Sequence, residues 1–355
     1  MTPLVSYPFN VTSPRGQNPV LRMLFGGDPC ARAANRPLYS RKELPNSRFA
    51  VNDHPFDTRQ AVLLLAHGAP ERMEDIEDYL RCIRNGRPVP AAMVEEIRHR
   101  YAAIGGGSPL LACTRRQAHA LEEKLKADGW PVKVYFAMRN WRPFIQETMT
   151  QIRQDGVERL IAVCLAPQYS KMSVGLYFRR TQEAKVALGA TTEIVWTKSF
   201  HAHPLLIEAF AEKLAPLAGH GQVLFTAHSL PERIVADGDP YDTEVRTTVR
   251  LVAERCGLER WDFAYQSQGM TEEAWLGPTV ESVLDAYAAR GVRRVVLAPI
   301  GFVSDHLEIL YDVDVLFRDY ARLRGIELVR TESLNDSPTF IAALAAVVGE
   351  KLRSG

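Results

Sequence analysis

Leu64-Leu65-Ala66-His67-Gly68-Ala69-Pro70-Glu71-Arg72 and Phe225-Thr226-Ala227-His228-Ser229-Leu230-Pro231-Glu232-Arg233 are one phrase written twice. In each copy a short apolar run ends at a histidine and is then halted by Gly or Ser and by Pro. That is the pattern of a buried parallel strand running into a loop. It puts both histidines at strand carboxyl ends, where open α/β sheets hold their ligand crevices. The echo continues downstream, because Gly156-Val157-Glu158-Arg159 leads into Leu160 to Leu165 and Ala166-Pro167, and Gly291-Val292-Arg293-Arg294 leads into Val295 to Leu297 and Ala298-Pro299. From His67 to Pro167 is 100 positions and from His228 to Pro299 only 71, so the first half carries about thirty extra residues. They fall near 71 to 110, directly after the first histidine loop.

Strands are expected at 61 to 66, 131 to 137, 158 to 165, 193 to 198, 222 to 227, 262 to 267, 292 to 299 and 326 to 331, alternating with helical segments. Such alternation implies right-handed βαβ units and parallel sheets. The expected fold is α/β, with two similar Rossmann-like, doubly wound parallel-sheet domains facing a central cleft. The expected limits are 58 to 203 for the first half, with its insertion at about 71 to 110, and 204 to 355 for the second. Residues 1 to 57 are rich in Pro and Asn and lack apolar periodicity, so a mobile extension is expected there. Gly291 suits the position just past a helix, Pro143 and Pro278 suit first-turn positions, and His203-Pro204 suits a helix entry.

Composition sets outer limits. A chain of 355 residues, 46% hydrophobic and 24% charged, can bury a large core. A net charge of +1 gives no general attraction to nucleic acid or to a membrane surface. The apolar stretch Ile341 to Val348 is far short of the roughly 20 residues that span a bilayer. Cys30, Cys82, Cys113, Cys164 and Cys256 fall singly, without ligand-like spacing, so reduced thiols, no iron–sulfur cluster and a cytoplasmic setting are expected.

The chemistry concentrates at His228 and at Asp305-His306-Leu307-Glu308-Ile309-Leu310-Tyr311-Asp312. On a helix Asp305, Glu308 and Asp312 share one face, being three and four apart. A solvated face reads the same way. The segment follows the apolar run Val295 to Ile300 and the Gly301-Phe302 turn, however, so it also begins at a strand's carboxyl end. A neutral imidazole beside carboxylates binds a divalent cation or relays protons.

Five stretches in order, Thr226-Ala227-His228-Ser229-Leu230-Pro231, Gly238-Asp239-Pro240-Tyr241, Tyr265-Gln266-Ser267, Trp275-Leu276-Gly277-Pro278 and Gly301-Phe302-Val303-Ser304-Asp305-His306-Leu307-Glu308, resemble the ferrochelatases. Ile104-Gly105-Gly106-Gly107-Ser108-Pro109-Leu110 and Leu165-Ala166-Pro167-Gln168-Tyr169-Ser170 agree, and the resemblance covers about 58 to 353. It implies insertion of Fe(II), as substrate metal, into a porphyrin for haem biosynthesis. His228 and Glu308 are then the catalytic pair and, with His67, the groups that meet the metal. Asp305 and Asp312 continue an acidic track, although Leu316 stands where the family usually has a further acid.

Within the family the chain is most similar to the soluble coproporphyrin ferrochelatases, since Ile83-Arg84-Asn85-Gly86-Arg87-Pro88 is short and polar. Coproporphyrin III is thus favoured over protoporphyrin IX, and Arg84, Arg100, Tyr101, Ser108 and Tyr177 match substrate-binding positions. Met93, Ile97, Tyr101 and Ile104 form one helical stripe with Arg100 at its edge. His67 stands where this branch commonly has a tyrosine that meets iron from the face opposite His228. Tyr265-Gln266-Ser267 and Trp275 read equally as scaffold or as substrate wall. Two other readings stay open, a chelatase for another metal and tetrapyrrole, such as cobalt, and a non-catalytic haem-binding protein of the same fold. Beyond the porphyrin, a downstream haem-processing enzyme is a conceivable partner; nucleic acid is not.

Overall fold

The computed structural model describes residues 59–84, 86–268 and 273–354. The expected extension over 1 to 57, with Cys30 and His54, lies outside the described residues. In the first half the order is β1 (Gln60–Ala66), α1 (Ile76–Ile83), α2 (Ala91–Ala103), α3 (Leu110–Ala127), β2 (Lys133–Met138) and α4 (Ile145–Gln154). It continues with β3 (Arg159–Cys164), α5 (Val174–Ala187) and β4 (Glu193–Thr197), after which α6 (Pro204–Leu214) opens the second half. The second half then runs β5 (Gln222–His228), α7 (Arg233–Ala236), α8 (Tyr241–Arg255), β6 (Trp261–Gln266), α9 (Val280–Ala289) and β7 (Arg294–Pro299). It ends with α10 (Leu307–Leu310), a π-helical stretch Asp312–Phe317, α11 (Arg318–Arg322), β8 (Glu327–Arg330) and α12 (Pro338–Arg353).

The strands form two four-stranded parallel sheets of matching order, β2-β1-β3-β4 and β6-β5-β7-β8. In each, the chain winds to one side of the first strand and then to the other, which opens a crevice at that strand's carboxyl end. Both histidines of the repeated phrase stand there, His228 closing β5 and His67 following β1.

Strand periodicity builds the layers. Val62 and Leu64 of β1 face the same apolar cluster as Val223 and Phe225 of β5, together with α3, α6, α8 and α12. The alternate residues Ala61, Leu63 and Leu65 face α4 and α5, and Leu224 faces α9 and the π-helical stretch. The two sheets thus share one central helical layer. α12, last in the chain, packs against α3, α6, β3 and β4, on the first half's sheet rather than its own. A separate cluster from α1 and α2, with Ile76, Leu80, Ile97 and Tyr101 buried, forms a lip over the carboxyl end of β1.

Local signals match in places. His203 caps α6, accepting from Leu205 N at 3.3 Å, with Pro204 as its first residue. Gly291 follows α9 at φ +76°, and Val292 N donates back to Tyr287 O at 3.0 Å. Pro143 and Pro278 instead precede the capping residues Phe144 and Thr279, one position outside the first turn. Among the described residues no helix is long and apolar enough to cross a membrane. Cys82, Cys113, Cys164 and Cys256 are not joined in disulfides.

Candidate active site

His228 is held by its own backbone and by Tyr241, whose hydroxyl donates to His228 O at 2.8 Å. Its Nδ1 lies 2.5 Å from Ser229 O, and a carbonyl only accepts, so the proton sits on Nδ1 and Nε2 presents its lone pair. Nε2 faces Glu308 Oε2 at 3.6 Å. Gly301 makes this meeting feasible: a Cβ there would lie 2.8 Å from Ala227 Cα, so only glycine lets the turn after β7 cross the end of β5.

Glu308 has further support. Gln266 Nε2 donates to its carbonyl at 3.2 Å, and His306 Nε2 lies 3.8 Å from Oε2. Burial pushes the Glu308 carboxyl up, but His228 and His306, whenever their rings carry a positive charge, outweigh it and hold the group at about 2. His306, its ring tilted against Phe302 at 4.8 Å, moves the other way: burial lowers it, and its bond to Glu308 more than compensates. Asp312 accepts from Ser267 Oγ at 2.7 Å and lies 3.8 Å from Arg100 Nη1. Burial and the Glu308 charge raise it to about 7 against those two partners.

The expected single face of three carboxylates does not form. Helix geometry starts only at Leu307, so the period never reaches Asp305. Asp305 turns away to accept from Ser333 Oγ at 2.7 Å and Asn335 Nδ2 at 2.9 Å, with Arg330 beside it, and borders a separate polar groove. Beyond Leu310 the backbone widens, Leu316 N bonding Tyr311 O at 3.0 Å, and Leu316 is exposed.

Between the lip and α10 lies a cavity. Tyr79, Leu80 and Ile83 line it from α1, Ile97, Arg100 and Tyr101 from α2, His67 from β1, and His306, Leu307, Glu308 and Asp312 from the opposite side. Arg100, expected at the edge of its stripe, is only 3% exposed; its Nε donates to Glu96 at 2.9 Å and its guanidinium stacks 5.3 Å from the Tyr311 ring. Arg84 caps the end of α1 outside the cavity lining. Ser108 accepts from Leu110 N at 3.3 Å at the start of α3, and Tyr177 lies buried beneath Arg139 at 4.8 Å; neither lines the cavity. Gln266 and Ser267 hold the acids from behind, and Tyr265 bonds Asp242, so this motif acts as scaffold.

His67 lies across the cavity from Glu308. Burial and the nearby Arg139 charge push its pKa down to about 3, so the imidazole is neutral. Gly68, at φ +87°, lets the chain pass so close to the loop after β2 that a Cβ would lie 2.7 Å from Trp141 N. That loop brings Arg139 Nη2 to 3.5 Å from His67 Nδ1, and the Asn140 carboxamide to 3.0 Å from Nε2 and 3.4 Å from Nδ1. Arg139, Asn140 and His306 were not singled out from the sequence. His306 lies inside a quoted motif, whereas Arg139 and Asn140 carry no pattern of their own. Among the described residues no three His, Cys, Asp or Glu side chains gather into a metal-holding group. The arrangement offers instead an imidazole facing a carboxylate held low, a second carboxylate raised to about 7, and an aromatic-walled slot.

Residues 59–352 match the protein-family model described as Ferrochelatase. A curated relative named Ferrochelatase, from Acidobacterium capsulatum, is 45% identical over 312 residues, 81% of this chain and 93% of its own length. A Coproporphyrin III ferrochelatase from Halalkalibacterium halodurans is 37% identical over 300 residues, 82% of this chain and 96% of its own. Among solved structures, SirB from Bacillus subtilis with Fe3+ is similar at TM-score 0.52 and 12% identity, over 82% of this chain and 95% of that one. At that identity the likeness concerns the fold.

Proposed function

This chain belongs to the ferrochelatase family and inserts ferrous iron into a porphyrin in haem biosynthesis; from that premise we propose that coproporphyrin III is its substrate and that His228 is its base. The observation that carries the site assignment is the contact between His228 Nδ1 and Ser229 O, which leaves Nε2 free of its proton and 3.6 Å from Glu308. A free-base porphyrin must lose two N–H protons while the cation sheds water. Nε2 takes such a proton from the macrocycle face it meets. Glu308, held at about 2, stays anionic and attracts the cation instead of storing protons. Asp312, at about 7, accepts and hands on protons in the same pH range. Two carboxyls with separated pKa values thus take separate roles.

Coproporphyrin III is supported by relatives named for it, by the short lip, and by arginines at Arg84 and Arg100. Tyr101 lines the slot, while Ser108 and Tyr177 support its walls from behind. His67 approaches the ring from the face opposite His228. The setting is cytoplasmic in this reading, and the product passes to a haem-processing enzyme. Steady-state metallation with ferrous iron, run on coproporphyrin III and protoporphyrin IX in parallel, tests the substrate. We expect wild type to favour coproporphyrin, and the double Arg84→Ala, Arg100→Ala variant to narrow the gap by roughly one to two orders of magnitude. Wild-type preference for protoporphyrin, or equal losses on both in the variant, would overturn it.

A further inference from the structure

We propose that Arg139 and Asn140 form a clamp that withholds His67 from the iron of the finished product, so that a strong potential ligand does not trap it. The proposal rests on reading the cavity as the place of porphyrin metallation, and it deepens that reading at the face opposite His228.

The clamp is anchored by the main chain. Arg139 N donates to Ala66 O at 3.0 Å and Asn140 N to His67 O at 2.9 Å, so the loop after β2 is fastened to the residues it clamps. The close passage at Gly68 fixes the same pairing. Arg139 is steadied from its other side by the Tyr177 ring, 4.8 Å from its guanidinium carbon.

Hydrogen-bond roles then decide what His67 can do. An arginine nitrogen only donates, so His67 Nδ1, 3.5 Å from Nη2, is the acceptor. A neutral imidazole that accepts at Nδ1 carries its proton on Nε2. Asn140 Nδ2 stands 3.0 Å from Nε2, and turning the carboxamide over exchanges its oxygen and nitrogen without moving the heavy-atom positions, so that Oδ1 accepts the hydrogen bond from Nε2–H. Both ring nitrogens are therefore engaged by protein. Metal ligation needs a nitrogen without its proton. To bind iron, His67 must break its bond to Asn140 and lose the Nε2 proton, or leave Arg139. His228 has the opposite arrangement, its backbone partner holding the proton on Nδ1 so that Nε2 carries none.

The test adds ferric haem and ferric coproporphyrin to the purified full chain and reads absorption spectra and release rates. In wild type, His67→Ala should leave the product spectrum unchanged. Asn140→Ala should produce an imidazole-ligated spectrum and release slowed roughly ten-fold, the worth of one hydrogen bond. Adding His67→Ala to it should abolish both effects. Asn140→Asp, which keeps an acceptor oxygen, should behave as wild type, and metal-free porphyrin affinity should confirm that the variants fold. A wild-type product spectrum that changes with His67→Ala, or an Asn140→Ala chain that matches wild type in spectrum and release, overturns the clamp. Failure of wild type to insert iron at all would instead overturn the functional reading.

Discussion

The carboxyl ends of β1 and β5 are equivalent places in a repeated fold, each occupied by a histidine, and they have been built for opposite ends. At β5, Ser229 O fixes the proton on Nδ1 and Glu308 faces Nε2. At β1 a neighbouring loop surrounds the imidazole with Arg139 and Asn140, and no carboxylate is within bonding distance among the described residues. One topology supplies two imidazoles, and the partners of the ring nitrogens differ between them. Duplication gives position; second contacts give chemistry.

The largest expected effect separates the two histidines by rate. His228→Ala should lower kcat by about 10² to 10⁴, the usual loss for a positioned base, and Glu308→Gln should also lower kcat much more than it changes porphyrin affinity. His67→Ala should reduce kcat by less than about ten-fold. Comparable losses at both positions in steady-state metallation would erase the distinction.

Next is the residue after each histidine. Gly68→Ala forces a side chain into positive φ against Trp141 N, and should destabilise the chain by about 1 to 3 kcal/mol in denaturant melts. Ser229→Ala removes only a buried donor to Leu276 O, and should cost about 1 kcal/mol. The reverse order would show that the β1 loop does not depend on its close approach.

Acid and base titrations sharpen the contrast further. Asp312 is raised to about 7, so the folded state holds its proton more tightly than the unfolded one, and stability falls as pH rises from about 4 to 7. Asp312→Asn should therefore gain Tm over wild type as pH rises through that window, and show no gain below it. His67 is lowered to about 3, so the unfolded chain binds the proton first and stability is lost as pH falls below about 6.5. His67→Gln should blunt that acid loss by a smaller margin, visible as a shallower Tm decline between pH 6 and 4. A parallel decline in both chains would mean that His67 is not buried as a neutral ring.

The eight strands were readable because each is an apolar run bounded by turn residues, and the observed limits lie within two residues of those expected. Repetition of the histidine phrase carried the paired topology. Other features depended on contacts the chain does not advertise. The track of acids failed at Asp305 because helix geometry begins two residues later than the spacing argument needs. Arg100 looked peripheral on a helical stripe, yet Glu96, Asp312 and Tyr311 from three directions bury it. Arg139 and Asn140 reach His67 across more than seventy residues of sequence, a pairing no local pattern reveals.

The placement of α12 on the first half's sheet also has a bearing on how the protein is made. During translation the first four strands leave the ribosome long before the helix that covers part of their inner face. Until α12 arrives, the apolar side chains it will meet on α3 and β3 have only a provisional cover. The half that is synthesised first is thus the one completed last, and a chaperone binding nascent chain should dwell there. Truncation just before Pro338 should accordingly expose the early-made sheet to protease while the later-made sheet keeps its own helices.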